Sequence, residues 1–447
     1  MSAPSWAGDL DRRLADAQRT WRAPSVTAAV LRDGDVVWTG AVGAAAFTTA
    51  EPAGQAAGPD VAYRIGSITK TFTAVLIHQL HDAGLLDLDD PLSRHLPGTQ
   101  HGAVTLRRML GHLSGLQREP VGDLWVELVE PTRDQLLAGF EQAEQVLPSR
   151  TTHHYSNLAY AVLGEVVARV TGGTWEQALQ DRLLEPLGLT RTGVAPTGDR
   201  ATGYLSDPYA DAVRPEPDMP TGAAGPAMQL WSTASDLVRW AGFLADPPAA
   251  LLSEAALERL RQPVVVFDPH AFTLAWSAGL MLWRKGERVF HGHGGAMPGF
   301  LAGCYAYRSE TERIGAVVLT NTGRVADADG LATDLLGAVL DAEPRPAPAW
   351  VPGEVPDDIR PLLGPWWAEG SENLLEWRDG GLTAIGRGGA EWRRTHLERD
   401  GDGWRAVRGR EQGERMRVIT DDDGVPARLV FAGYAWTRDP RTFSELA

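Results

Sequence analysis

Five prolines within fifteen residues divide the chain into two predicted domains. They lie in AEPRPAPAWVPGEVP, residues 342–356. Proline fixes φ and has no backbone N–H, so this stretch cannot form the interior of a helix and is typical of a semi-rigid linker. We therefore predict one domain over residues 1–341 and a second, smaller domain over residues 357–447.

The first region has strand patterns at both of its ends and helix patterns between them. Residues 25–42 predict a hairpin that turns at Asp33-Gly34-Asp35. Residues 68–83 predict a helix that ends at Gly84. Further strands are predicted near the end of the region, over residues 286–291, 302–307 and 313–320, followed by a helix over 326–341. This order predicts an α/β fold in which distant segments complete one antiparallel sheet, flanked by helices and a helical subdomain.

The region after the prolines alternates short apolar runs with turn clusters such as Asp423-Gly424. That spacing predicts a small, closed, antiparallel β-barrel of lipocalin-like form. Seven of the 16 tryptophans lie between Trp350 and Trp436. We expect them to fill the barrel core; a barrel mouth lined for a ligand is the alternative.

Composition excludes several classes of function. Hydrophobic residues make up 43% and the net charge is −16, so we expect a folded protein that repels phosphate backbones and anionic lipid. Nucleic-acid and membrane partners are therefore not expected. Cys304 is the sole cysteine, which rules out an internal disulfide. The first residues lack a basic segment followed by an apolar one, so we predict a cytoplasmic protein.

The basic residues are very unevenly distributed between arginine and lysine. Of 42 basic residues only two, Lys70 and Lys285, are lysine. Lysine can lose its proton when it is buried, and arginine cannot. Ser67 and Lys70 open the predicted helix one turn apart, where the helix N-terminus favours a developing oxyanion. They form a candidate nucleophile and base; the alternative is a capping serine beside a solvated lysine.

Two further motifs follow the Ser67-Ile68-Thr69-Lys70 segment. They are Tyr155-Ser156-Asn157 and His293-Gly294-Gly295-Ala296. With these three motifs in this order, the sequence resembles the serine β-lactamase and penicillin-binding protein superfamily over roughly residues 20–340. The resemblance is to the class C-like branch, which includes D-peptidases, esterases and acyltransferases.

The resemblance implies a role for each motif residue. Ser67 would be the acylated nucleophile, Lys70 its base or proton relay, and Tyr155 the proton shuttle to the leaving group. Asn157 would bind Lys70 and the substrate amide. The third motif, His293, Gly294 and Gly295, would bind the substrate, and the backbone N–H groups of Ser67 and Ala296 would form the oxyanion hole. By its chemistry, a tyrosine acts as a base near pH 7 only if a cation lowers its pKa, and Lys70 would supply that cation.

His293 departs from the family pattern, which often has lysine there. Histidine is charged only part of the time near pH 7, so it would anchor a substrate carboxylate less firmly. Arg428 and Arg438, on the last predicted strands, are candidates to bind that carboxylate instead; surface solvation is the alternative. The histidines lack accompanying carboxylates at a familiar spacing, so no metal or other cofactor is expected.

These features predict a serine enzyme that forms an acyl-enzyme on Ser67. The expected substrate is a small-molecule or peptidyl amide, ester or thioester, with D-residue-containing donors included. One alternative is a penicillin-binding-protein-type thioesterase that releases and macrocyclises a nonribosomal peptide from a carrier-bound thioester. Another is an esterase, D-aminopeptidase or β-lactamase-like hydrolase. A non-catalytic binding module is the remaining alternative.

Overall fold

The computed structural model describes residues 4–47, 54–122, 124–150, 152–324, 326–347, 349–378 and 380–446. The chain divides into two compact units between residues 347 and 348, and each unit has its own apolar core.

The helices of the first unit are α1 (Ala7–Trp21), α2 (Thr69–Asp82), α3 (Leu106–Leu110), α4 (Arg133–Phe140), α5 (Asn157–Thr171), α6 (Trp175–Leu179), α7 (Glu185–Leu187), α8 (Gly225–Met228), α9 (Ala234–Ala245), α10 (Glu254–Arg261) and α11 (Ala328–Ala342). Its strands are β1 (Ser25–Arg32), β2 (Asp35–Ala46), β3 (Gln55–Ala56), β4 (Tyr63–Arg64), β5 (Tyr204–Ser206), β6 (Val213–Pro215), β7 (Trp231–Ser232), β8 (Val265–Val266), β9 (Leu274–Trp276), β10 (Met281–Lys285), β11 (Arg288–Met297), β12 (Phe300–Arg308) and β13 (Arg313–Thr320).

One antiparallel sheet organises the first unit, in the order β3-β2-β1-β13-β12-β11-β10-β9-β8. The first strand of the chain pairs with a strand almost 300 residues later, with Val26 opposite Thr320. This confirms the predicted fold, in which distant segments complete one sheet. Apolar residues occupy both faces of β1 because helices cover both: Val30 packs in the cluster that includes α1 and α11, and Leu31 in the one that includes α2 and α9.

Ser67 lies just before α2 and is not its N-cap. A short 3-10 turn, Gly66–Ile68, holds Ser67, and the α-helix begins at Thr69. The C-terminal half of the sheet follows the predicted strands closely, but β11 extends to Met297 and so includes the whole His293–Ala296 motif.

The second unit is a closed eight-stranded antiparallel barrel, which confirms the predicted β-barrel. Trp366, Trp404 and Trp436 are buried in its core, whereas Trp350 and Trp392 are exposed. Its strands are β14 (Gly364–Ala368), β15 (Ser371–Arg378), β16 (Gly381–Ile385), β17 (Arg394–Asp400), β18 (Gly403–Gly409), β19 (Arg415–Thr420), β20 (Pro426–Phe431) and β21 (Tyr434–Thr437), and the short helix α12 (Phe443–Leu446) follows.

Within the described ranges, no helix has the length and apolar character needed to cross a bilayer.

Candidate active site

Lys70 lies fully buried at the start of α2, and oxygen atoms surround its amine. Nζ lies 3.0 Å from Ser67 Oγ, 2.6 Å from Asn157 Oδ1 and 2.8 Å from the carbonyl oxygen of Ala227. Burial lowers the pKa of Lys70 well below its usual range; the Glu119 carboxylate partly opposes this effect. The amine can therefore be neutral while it touches the serine.

The orientation of Asn157 is fixed by a carboxylate on the other side of its amide. Asn157 Nδ2 donates to Glu119 Oε1 at 2.8 Å, which turns Oδ1 toward Lys70. Glu119 is itself held by Trp125, whose indole N–H donates to Oε2 at 2.8 Å. The Asn157 backbone N–H donates to the Arg118 carbonyl, so the loop that carries Glu119 is attached to the start of α5.

Tyr155 lies beside the serine and lysine, but its phenol stays protonated. Burial raises the pKa of Tyr155, and a hydrogen bond with Ser67 only partly opposes this. The Lys70 amine lies 4.8 Å from the centre of the Tyr155 ring. The expectation of a lowered Tyr155 pKa is therefore wrong, because the desolvation of the phenolate outweighs the effect of the nearby Arg118 guanidinium.

His112 supports Tyr155 from behind. The two rings stack with centroids 4.3 Å apart, and His112 Nδ1 accepts the Ser156 backbone N–H at 3.1 Å. His112 is fully buried, and this burial lowers its pKa well below the usual range. A neutral imidazole therefore fixes the backbone just before α5 and the plane of the tyrosine ring.

Strand β11 runs directly against the turn that carries Ser67. A Cβ placed on Gly295 would lie 2.9 Å from the carbonyl carbon of Ile65 and closer still to its oxygen. A Cβ on Gly66 would lie 2.6 Å from the Ala296 nitrogen. Two backbones can approach this closely only where side chains are absent, so the glycines bring the Ala296 peptide next to Ser67.

The same part of β11 has a free edge. On one side β11 pairs with β12 through Met297, but on the other side its pairing with β10 stops at Gly292, opposite Met281. In the described part of the chain no strand pairs with residues 293–297 on that second side. Unpaired N–H and C=O groups therefore face the cavity, where an extended ligand can pair with them.

His293 is buried and neutral. Burial is the main cause that lowers its pKa to about 3, and the Lys70 side chain contributes to the same shift. Nδ1 is hydrogen-bonded to the Gly294 carbonyl oxygen, while Nε2 is buried without a partner among the described residues. The expectation that His293 is partly protonated near pH 7 is wrong, because desolvation disfavours the imidazolium. Its free nitrogen is an acceptor for a substrate donor and does not attract a carboxylate.

One cavity of about 740 Å³, with a largely aromatic wall, adjoins these groups. His153 stacks between Phe267 and Trp276, with ring centroids 5.0 and 5.6 Å away. The lining also includes Ser67, Arg118, Glu119, Trp125, Tyr155, Asn157, Met228, Met281, residues 293–298, Leu301 and Asp329. Such a wall suits an apolar or aromatic group of the ligand.

The structure brings together the predicted residues of the first unit: Ser67, Lys70, Tyr155, Asn157, His293, Gly294, Gly295 and Ala296. Arg428, on β20, and Arg438, just after β21, belong to the second unit. Arg438 donates to the carbonyls of Pro361, Leu363 and Pro365 and lies over Trp366, so its donors serve the barrel itself. Their assignment to substrate binding stays a prediction.

Sequence reasoning missed Glu119, Trp276 and Asp329. A glutamate in a loop and an aspartate in the first turn of a helix carry no local signal, because only folding over long separations places them in the cavity. Trp276, on β9, is buried in the sheet and also lines the cavity. Among the described residues no cluster of possible ligands could hold a metal ion.

A nucleophile-type serine, a buried lysine, a tyrosine and a free strand edge on this sheet define a β-lactamase-like serine hydrolase. The β-lactamase family model matches residues 10–340, and the chain belongs to that family. A second model, "Domain of unknown function (DUF7586)", matches residues 355–438.

Three similar proteins illustrate the relationship. The chain is 32% identical over 392 residues to penicillin-binding protein 4 of Amycolatopsis lactamdurans, which covers 79% of this chain and 96% of that protein. A D-stereospecific amidohydrolase from Streptomyces sp. is 26% identical with a TM-score of 0.62, covering 73% of this chain and 97% of its own. The octameric penicillin-binding protein homologue from Pyrococcus abyssi, 21% identical with a TM-score of 0.65, shares the fold over 96% of this chain and 99% of its own.

Proposed function

We propose that the protein forms an acyl-enzyme on Ser67 from a small, peptide-like amide, ester or thioester and then transfers the acyl group to water or to another nucleophile. The observation that carries this proposal is the set of three neighbours around the Lys70 amine.

Two of those neighbours accept hydrogen bonds only: the amide oxygen of Asn157 and the carbonyl oxygen of Ala227. A neutral amine has two N–H groups and one lone pair. It donates both N–H groups to these oxygens, which leaves its lone pair for the Ser67 hydroxyl. The hydroxyl is thus set to lose its proton to Lys70.

In the acylation step, Ser67 Oγ forms a bond to the substrate carbonyl carbon while its proton passes to Lys70. The carbonyl oxygen gains negative charge, and the backbone N–H groups of Ser67 and Ala296 are its proposed partners. Tyr155 is protonated up to this point, and it donates its proton to the leaving group as that bond breaks. The Lys70 ammonium then returns a proton to the phenolate. Attack by water or another nucleophile on the ester reverses these transfers.

Two observations bear on the substrate class. The aromatic wall and the free edge of β11 suit a peptide-like acyl donor with an apolar side chain. The D-stereospecific amidohydrolase at 26% identity supports donors that contain a D-residue. A cavity of about 740 Å³ is also large enough for a peptidyl thioester, the second candidate, in which an internal nucleophile takes the place of water.

The test is intact-mass analysis of wild type and Ser67→Ala with three donors: a D-aminoacyl amide, a D-aminoacyl ester and a peptidyl thioester. We expect an adduct on wild type that Ser67→Ala lacks, and a product that is hydrolysed or cyclised. A hydrolysed product from all donors supports the hydrolase, and a cyclic product from the thioester supports the second candidate. If Ser67→Ala still turns over donor, or wild type never acylates, the proposal is wrong.

A further inference from the structure

We propose that Asp329 is a specificity residue that binds a positively charged group of the substrate, an ammonium or guanidinium, at the far side of the β11 edge. This inference rests on the proposed function, because it names the substrate class for the same cavity.

Asp329 reaches the cavity from α11 because two glycines leave room for it. Gly294 of β11 lies opposite Gly303 of β12 in the sheet register. A Cβ on Gly294 would lie 2.8 Å from the Asp329 carboxylate carbon, and one on Gly303 would lie 2.8 Å from the carbonyl carbon of Ala328. The first turn of α11 therefore rests on bare backbone, and the carboxylate occupies the space above Gly294.

One oxygen of the Asp329 carboxylate lacks a hydrogen-bond donor among the described residues. Asp329 Oδ1 is buried, and no donor among the described residues reaches it. An unpaired buried acceptor is costly, and native proteins seldom keep one without a use. Because Asp329 also lines the cavity, a ligand that enters the cavity can supply the missing donor.

None of the charged groups named below forms an ion pair with the Asp329 carboxylate. Asp327, the N-cap of α11, repels it, and the Tyr305 hydroxyl from β12 bonds to the carboxylate. Lys285 of β10 acts on it from a distance, since its amine pairs with Asp334 at 2.9 Å. The charge of Asp329 also acts on the buried Cys304 thiol and on Tyr155 in the cavity wall, and it raises the pKa of both groups.

The position also fixes where the charge should sit on the substrate. Gly294 precedes Ala296, the proposed oxyanion donor, by two residues. A strand advances by about 3.4 Å per residue, so the charge should lie about 7 Å from the scissile carbonyl. A substrate carboxylate at that distance would be repelled by the Asp329 carboxylate and would gain no charge from the neutral His293.

The pKa of Asp329 supports this assignment. Burial, together with Asp327, raises it to about 7. The carboxylate is therefore anionic above that pH and neutral below it. Binding of a cationic substrate should accordingly strengthen as the pH rises through 7, while binding of a neutral substrate should not follow that change.

The test uses two series of ester probes with matched ammonium, methyl and carboxylate ends, all about 7 Å from the scissile carbon. One series has the end group on the leaving alcohol and the other on the acyl part. In wild type we expect the ammonium probe to exceed its methyl partner in kcat/KM by about tenfold to a hundredfold in one series, which identifies the part that bears the charge. Asp329→Asn should remove that preference, while Asp341→Asn, at the other end of α11, should keep it.

Absence of an ammonium preference in both series, or a preference that survives in Asp329→Asn, overturns the inference. Labelling of Ser67 by a fluorophosphonate reports whether the variant has folded. If it has not, the wild-type preference measured from pH 6 to pH 8 decides: growth with pH supports the inference and a flat ratio contradicts it. Failure of every probe to acylate Ser67 would instead contradict the proposed function.

Discussion

The two lysines of the chain lie in opposite surroundings, one in the cleft between α2 and α5 and one on the surface between β10 and α11. Lys70 is fully buried, and its partners include the uncharged oxygens of Asn157 and Ala227. Lys285 is 30% exposed and pairs with the Asp334 carboxylate at 2.9 Å. Burial among uncharged acceptors favours an amine, whereas water and a carboxylate favour an ammonium. The same side chain is thus suited to accept a proton in one region and forms an ion pair in the other.

The sharpest way to break this comparison is to replace each lysine by arginine. Lys70→Arg keeps a cation but cannot release a proton, so we expect kcat/KM for acylation to fall by about 10³-fold or more. Lys285→Arg can still pair with Asp334, and we expect turnover close to wild type. Steady-state kinetics on one activated ester measures both.

Thermal unfolding of both variants serves as the control, since a misfolded Lys70→Arg would lose activity for another reason. Near-normal turnover in a folded Lys70→Arg would show that Lys70 is not the base.

A second prediction concerns the approach of β11 to the Ser67 turn. In Gly295→Ala the new methyl group collides with the Ile65 carbonyl, which must push the Ala296 peptide away from Ser67. A displacement of about 1 Å costs about 10²-fold in rate, and we expect that loss in kcat more than in KM. Gly337→Ala in α11 is the matched control, because its methyl group meets nothing closer than 4.0 Å. Equal activity of the two variants would remove the oxyanion role of this segment.

Local patterns were sufficient to predict most of the sheet and the motif residues that the structure brings together around Lys70. Strands at both ends of the first region indicated a sheet closed by distant segments, and β1 does pair with β13. The spacing of Ser67 and Lys70 predicted their contact, which is 3.0 Å in the structure. These features depend on residues near one another in sequence, or on apolar runs that need a partner strand.

The protonation states could not be predicted in the same way. The assumption for Tyr155 weighed a neighbouring cation and ignored desolvation, which depends on His112, Trp276 and other residues distant in sequence. His293 was expected to titrate near pH 7 for the same reason. Asp329 enters the cavity only because α11 packs on a pair of glycines in register, and no single segment shows that arrangement.

The smallest expected effect tests whether Glu119 tunes the contrast between the two lysines. Lys70 must be neutral to accept the serine proton. The acylation rate is therefore highest above the pKa of Lys70 and decreases as the pH falls through that pKa. The Glu119 carboxylate raises that pKa, and Glu119→Gln should therefore move the acid limb of the pH–kcat/KM profile to lower pH. The plateau should also fall, by about tenfold, because the amide of Asn157 loses a charged acceptor.

Glu127→Gln, an exposed position on the same loop, is the control and should leave both the limb and the plateau in place. A purely structural role for Glu119 would lower the plateau without moving the limb. An acid limb that moves to higher pH would mean that the carboxylate acts on Lys70 with the opposite sign, and would remove Glu119 from the account of how the buried amine is kept ready to accept a proton.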